Sequence, residues 1–274
     1  MGNNLYFLSG LPRSGNTLIS SLLNQNPEIY SSPISPLIQN IWVLHRNFEY
    51  EANITSEENQ ARHQKSIEDY TKSFYSDINK PVIFDREKEW GTPHNLFLIK
   101  KYITKTPKII VTVRDVLDIL ASMININKEL YLNEMKYNDF HCSYYLSEND
   151  AIAEWLMRTG GLVDKSLLCV SSSLQEENKD IFHIVEYNDL VSKTQETMSG
   201  IYNFIGIDDF DHNLTDIKKR EVDNDHLANL SKKTHLVHKS IVQSETNGRS
   251  FFSRYIIDKY DNLQFWRNPE ILTK

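Results

Sequence analysis

The chain has 274 residues, 40% of them hydrophobic and 24% charged, with 30 Lys and Arg against 37 Asp and Glu. At roughly 100–200 residues per domain, this length fits a single domain over residues 1–274 that buries a full apolar core without a disulfide framework or structural metal. The net charge of −7 and only two cysteines, Cys142 and Cys169, argue against a generic nucleic-acid binder, a zinc module and a secreted disulfide scaffold.

Leu5–Ser9 is the first apolar run, short and bounded like a buried strand. It is too short for a signal-peptide core or a membrane span, so the expectation is a cytoplasmic protein with no membrane partner. A Gly-containing loop follows, then Thr17–Leu23 with Leu and Ile at helix spacing, stopping at Asn26-Pro27. Residues 51–80 are polar and read as a helical insertion. Pro81–Phe84 and Lys108–Val113 read as the second and third strands. Asp115–Ile126 is a helix with Val116, Ile119, Leu120, Met123 and Ile124 on one face. Residues 127–176 form a second insertion, whose amphipathic stretch Asp150–Leu168 the Gly160-Gly161 pair breaks or kinks. Ile181–Val185 is the fourth strand, Asp189–Ile205 the next helix, and residues 226–248 a loop before a closing helix, Ser253–Tyr260. Strands alternating with helices predict an α/β fold of the P-loop type, with three layers and a mostly parallel central sheet flanked by helices.

The loop after the first strand carries the clearest chemistry. Gly10 and Gly15 have four residues between them and are followed by Asn16 and Thr17, which is P-loop spacing with Asn where the lysine belongs. Backbone N–H groups of such a loop, with a helix N-terminus behind it, hold phosphate-like anions. A nucleoside triphosphate site uses the lysine to reach the outer phosphates. Here Arg13, three residues earlier, offers a fork of donors instead. Pro12, Arg13, Ser14, Gly15, Asn16, Thr17 and Leu18 are therefore the candidate residues around one anion.

A second anion site is expected at the end of the third strand. Arg114 ends it and Ser122 lies eight residues on, inside the next helix, so charge, paired donors and a hydroxyl can converge on one phosphate.

The run Ser9-Gly-Leu-Pro-Arg-Ser-Gly-Asn-Thr17 resembles the 5′-phosphosulfate loop of sulfotransferases, particularly the group related to tyrosylprotein sulfotransferases. Arg114-Asp115 with Ser122 is similar to that family's 3′-phosphate motif. Val185-Glu-Tyr-Asn-Asp-Leu-Val191 and Asn203-Phe-Ile-Gly-Ile207 resemble two of its later motifs, Tyr-Glu-Asp-Leu and Phe-Leu-Gly. Residues 235–249 and 260–266 resemble its cofactor-covering loop and terminal helix, which places Lys239 and Arg249 near the cofactor. The resemblance implies 3′-phosphoadenosine 5′-phosphosulfate as sulfuryl donor, 3′-phosphoadenosine 5′-phosphate (PAP) as product, and no metal.

Sulfuryl transfer needs positioning, stabilisation of charge on the leaving oxygen, and a base for the attacking hydroxyl. Arg13 is the candidate for the developing charge. The second strand runs into Asp85-Arg86, similar in position to a Glu-Lys pair of other sulfotransferases, so Asp85 is the candidate base and Arg86 a second cation. Asp85 could alternatively cap a helix or orient Arg86; His94, His45 and Glu87 are spare candidates. Tyrosylprotein sulfotransferases carry a catalytic Glu shortly after the first helix, and Ser31-Ser-Pro-Ile-Ser-Pro36 lacks it, so peptide-tyrosine activity does not carry over. The expected acceptor is a small molecule, glycan or peptide bearing a hydroxyl or, less readily, an amine. Residues 37–50 and Tyr131–Tyr145 are candidate walls for it. Two other readings stay open: an ATP–Mg²⁺ phosphotransferase, with Asp85 as the metal-binding end of a Walker B strand, and a non-catalytic nucleotide-binding module.

Overall fold

The computed structural model describes residues 4–51, 56–141, 145, 147–218 and 236–267. Cys142 and residues 226–235 of the expected loop lie outside these. Five strands form one parallel sheet: β1 (Asn4–Gly10), β2 (Ile29–Ile34), β3 (Val82–Arg86), β4 (Ile109–Val113) and β5 (Phe182–Glu186), in the order β2-β3-β1-β4-β5. Period-two alternation sends side chains to two cores. Phe7, Ile109, Val111 and Val113 enter one apolar cluster, whereas Leu8, Ile110, Val82 and Phe84 enter the other. The second cluster is closed by α1 (Asn16–Leu23), α8 (Tyr187–Ser192) and α9 (Thr194–Ile205). The first is closed by α2 (Leu37–Glu51), α3 (Glu57–Ser73), α4 (Pro93–Tyr102), α5 (Val116–Tyr137), α6 (Glu148–Met157), α7 (Leu162–Ser173) and α10 (Arg254–Tyr260). The result is the expected three-layer α/β fold with a parallel sheet buried on both faces. No helix among the described residues is long and apolar enough to cross a membrane.

Three elements depart from the sequence reading. Strand β2 was not expected, because its Ile-Tyr-Ser-Ser-Pro-Ile has no apolar run and contains Pro33. It lies at the sheet edge, with a register shift between Ser31 and Ile34, where a proline is tolerated. The helix expected over Asp189–Ile205 starts at Tyr187 and is two helices, α8 and α9, separated at Lys193 (φ −134°). The helix expected to end at Ile126 continues to Tyr137, but Asn127 leaves helical geometry inside it (φ −132°, ψ 30°). Gly160 and Gly161 do separate two helices, α6 from α7.

The turn from β1 into α1 depends on its glycines. Gly10 has φ 123°, and a Cβ there would lie 2.3 Å from the carbonyl oxygen of Thr112 on β4. Leu11 N–H donates to that same oxygen at 2.8 Å, so the loop is laced to the neighbouring strand. Gly15 has φ 103° and caps α1 without a side-chain bond.

Candidate active site

The carboxyl ends of β1, β3 and β4 open into a cavity of about 490 Å³, the place where parallel sheets bind ligands. Pro12, Arg13, Gly15, Asn16, Thr17 and Leu18 line its floor. The first N–H groups of α1 have no intrahelical acceptor and carry the positive end of the helix dipole. Arg13 adopts a left-handed conformation (φ 59°), shared among described non-glycine residues only by Asp139. Such strain is retained where a site needs it. The Oδ1 atom of Asn16 is buried with no hydrogen-bond partner. A set of loop amides and cations is the donor chemistry that a phosphorylated, sulfated nucleotide requires.

The two anion sites expected from the sequence share this cavity. Arg114 is 6% exposed, and burial lowers its pKa. It donates through Nη1 to the carbonyl oxygen of Arg13 at 3.1 Å and lies 4.3 Å over the ring of Tyr187. Arg13 donates through Nε to Ser122 Oγ at 3.2 Å. Arg86 also lines the cavity and donates to Thr17 Oγ1 at 3.0 Å, joining the end of β3 to the start of α1.

Several expected residues stand elsewhere. Ser14 is fully buried: its hydroxyl bonds Thr112 Oγ1 at 2.5 Å and the carbonyl oxygen of Leu11, leaving only its backbone to a ligand. Lys239 is exposed and outside the cavity lining, and its carbonyl accepts from Ile217 N–H at 2.7 Å. Arg249 pairs with Asp115 at 3.0 Å and with Asp261, so it ties the C-terminal segment to the start of α5 instead of reaching the cavity. None of the described side chains over residues 37–50 lines the cavity; of Tyr131–Tyr145, Tyr131 does.

Asp85 requires a correction. It is 0% exposed; its Oδ1 accepts from Trp90 Nε1 at 2.8 Å and its Oδ2 from Tyr75 at 2.7 Å. Burial raises its pKa. Strand alternation explains this: Arg86 faces α1 and the cavity, so its neighbour Asp85 faces the opposite core. A carboxylate held there can neither take a proton from an acceptor in the cavity nor hold a metal on bound phosphates. The spare candidate Glu87, unlike Asp85, reaches the cavity. Glu87 lines the cavity at 6% exposure, and burial pushes its pKa up to about 7, against the opposing pull of Lys88. That value suits a general base at neutral pH. His45 is bonded to Tyr102 at 2.8 Å, and neither it nor His94 lines the cavity.

Of the remaining features of the site, the covering segment and Tyr131 are among those the sequence leads one to expect, whereas Lys88, the packing of Arg114 on Tyr187 and Asn127 are not. Lys88 joins Arg86 and Glu87 at the cavity. Tyr187 carries Arg114 on its ring, and its hydroxyl accepts from Ser244 N–H at 3.3 Å. The segment 236–244 closes one side of the cavity. Asn127 and Tyr131 of α5 face it as well. The sequence signal for Asn127 was the stop of apolar periodicity at Ile126, which marks the break in α5.

The chain matches the family model of the sulfotransferase domain over residues 4–265. No curated protein matches. Among solved structures, it is similar to the sulfotransferase domain from the Synechococcus PCC 7002 olefin synthase, at 20% identity and TM-score 0.55, covering 92% of this chain and 90% of that one. The sulfotransferase domain from the curacin biosynthetic pathway gives 17% identity and TM-score 0.55, covering 96% and 92%. Mouse sulfotransferase SULT7A1, solved in complex with PAP, gives 15% identity and TM-score 0.52, covering 98% and 88%. These likenesses concern the fold.

Proposed function

The chain belongs to the sulfotransferase domain family and is an enzyme of that class; we propose that its donor is 3′-phosphoadenosine 5′-phosphosulfate and its acceptor group a hydroxyl. The observation that carries this reading is the meeting of Arg13, Arg114 and Ser122 in one cavity, with Arg114 bonded to the Arg13 carbonyl at 3.1 Å. A donor with phosphates at both the 5′ and 3′ positions needs both groups of residues; ATP needs one.

In this reading the loop amides and Thr17 hold the 5′-phosphate, while Arg114 and Ser122 hold the 3′-phosphate. The acceptor oxygen attacks sulfur in line. The new O–S bond forms as the bond from sulfur to the bridging phosphate oxygen breaks, and that oxygen leaves with the electron pair to give PAP. Arg13, with Arg86 beside Thr17, stabilises the charge developing on it. Glu87 takes the acceptor's hydroxyl proton, which places the base two residues beyond Asp85. The solved complex of SULT7A1 with PAP is compatible with the same nucleotide here.

The test is transfer from radiolabelled donor to a panel of alcohols, with wild type and Glu87→Gln compared at saturating donor. Label should move to an alcohol with wild type and be lost about a hundredfold or more with Glu87→Gln. Undiminished transfer by Glu87→Gln would remove Glu87 from the mechanism, and no transfer to any hydroxyl or amine would remove the activity.

A further inference from the structure

Arg114, assigned to the 3′-phosphate, leads into a helix that opens on two carboxylates: Asp115 is the N-cap of α5 and Asp118 stands in its first turn. Acids suit a helix N-terminus, but this one must also receive a phosphate of about two negative charges. Both carboxylates act on Arg114: burial lowers its pKa, and Tyr187, Asp118 and Asp115 pull it back up. Arg114 bonds neither of them. It donates to the Arg13 carbonyl oxygen at 3.1 Å and lies over the ring of Tyr187.

Both carboxylates are met by one turn far along the chain, the 3₁₀ turn Gly248–Ser250. Gly248 N–H donates to Asp118 Oδ1 at 2.8 Å, and the turn lies so close to α5 that a Cβ on Gly248 would stand 2.3 Å from the Leu117 carbonyl carbon. Arg249 Nη2 pairs with Asp115 Oδ2 at 3.0 Å, and Gln264 Nε2 donates to the same oxygen at 2.6 Å. The other oxygen, Oδ1, caps the helix, accepting from Leu117 N–H at 2.9 Å and Asp118 N–H at 3.2 Å. One oxygen of Asp115 therefore starts α5 while the other faces a cation. Asp115 is buried, so water and salt screen its charge poorly. Neither Gly248 nor Arg249 lines the cavity, so each can reach a bound nucleotide only through the start of α5.

We propose that Arg249 is a positioning residue for donor selection: by neutralising Asp115 it relieves the repulsion that the 3′-phosphate would meet beside Arg114, and so favours the 3′-phosphorylated nucleotide over its 3′-hydroxyl counterpart. This rests on the donor reading above and adds to it a residue outside the cavity. The effect is electrostatic, between an ion pair and a phosphate that never touch. A mere tether would behave otherwise. Its loss would loosen the start of α5 and weaken nucleotides with and without the 3′-phosphate, and removing the charge of Asp115 would not repair it.

The experiment measures binding of PAP and of AMP, which lacks only the 3′-phosphate, by calorimetry. Wild type, Arg249→Ala, Asp115→Asn and the double variant are compared. Arg249→Ala should weaken PAP about three- to tenfold and leave AMP within about twofold. Asp115→Asn keeps an oxygen for the N-cap and removes the charge, so it should bind PAP at least as tightly as wild type. The double variant should recover the PAP affinity that Arg249→Ala loses, the signature of coupling between the two residues. Unchanged PAP binding by Arg249→Ala, a loss that AMP shares, or a double variant no better than Arg249→Ala would overturn the proposal while leaving the donor reading intact. Should Arg249→Ala fail to fold, Asp115→Asn decides alone: weaker PAP binding than wild type overturns the proposal. Wild type that binds AMP as tightly as PAP would overturn the donor reading and the role of Arg249 with it.

Discussion

Arg13 Nε donates to Ser122 Oγ across 3.2 Å, so the phosphate loop and helix α5 already touch through the two residues assigned to opposite ends of the donor. Nucleotide phosphates compete for both groups, and PAP should replace this contact with bonds to each. Ser122→Ala should weaken PAP binding by about tenfold, the worth of one hydroxyl hydrogen bond to a charged phosphate at its lower end. Arg114→Ala removes a buried cation and should cost about ten- to a hundredfold. Calorimetry checks both. Adenosine 5′-phosphosulfate, which lacks the 3′-phosphate, should bind wild type and Arg114→Ala with similar affinity.

With Glu87 as the proposed base, the site should take its pH dependence from that residue. Its carboxyl must be ionised to accept a proton, so kcat/KM should fall about tenfold per pH unit below about 7, the value to which burial raises its pKa. Glu87→Gln should lose that limb together with its rate. The sign for stability is opposite. A carboxyl raised from 4.5 to about 7 in the folded state favours its protonated form, so stability falls as pH rises through that window. The penalty at pH 8 is about 3 kcal/mol, and Glu87→Gln should melt higher than wild type there and alike at pH 4. Paired melting curves at the two pH values decide this.

Asp85 is fully buried and bonded to Trp90 and Tyr75, so the proposed mechanism gives it a structural role. Asp85→Ala would strand the buried donors of Trp90 and Tyr75 and should cost about 2–4 kcal/mol. Asp85→Asn keeps an acceptor for Trp90 and a bond to Tyr75, so it should recover most of that loss and turn over at a rate within a few-fold of wild type. A loss of about a hundredfold in kcat by a folded Asp85→Asn would restore Asp85 as the base.

Gly10 is the position where the phosphate loop tolerates least. A methyl group there would press on the Thr112 backbone at 2.3 Å in a conformation that L-residues avoid. Gly10→Ala should cost about 3 kcal/mol or more, read as a loss of soluble protein or a lower denaturant midpoint.

The sequence made the architecture legible where the physics is local. Buried parallel strands read as short apolar runs, and β1, β3, β4 and β5 stand within two residues of where those runs predict them. The loop glycines, Arg13, Arg114 and Ser122 were legible because each has a fixed offset from a strand end. What escaped depends on packing. Edge strand β2 is polar and contains a proline, so its pattern resembles a loop. The choice between Asp85 and Glu87 turns on where β3 ends: two residues apart, they would share a face inside a strand, but β3 stops at Arg86 and Glu87 lies beyond it, free of the alternation. Arg249 offered the right charge near the C-terminus, yet Asp115 and Asp261 are its partners, a pairing that no spacing rule shows. Tyr131 belongs to the expected wall Tyr131–Tyr145, whereas Asn127, at the break in α5, becomes visible as a cavity residue only in the structure.

The central claim is that one cavity reads both phosphates of a bisphosphorylated adenosine nucleotide. Calorimetry of wild type and Arg114→Ala with PAP and with ATP–Mg²⁺ tests it most directly. The account requires PAP to bind wild type at one site without Mg²⁺, more tightly than ATP–Mg²⁺, and at least about tenfold more weakly in Arg114→Ala. Tighter binding of ATP that depends on Mg²⁺ and is unchanged in Arg114→Ala would contradict it.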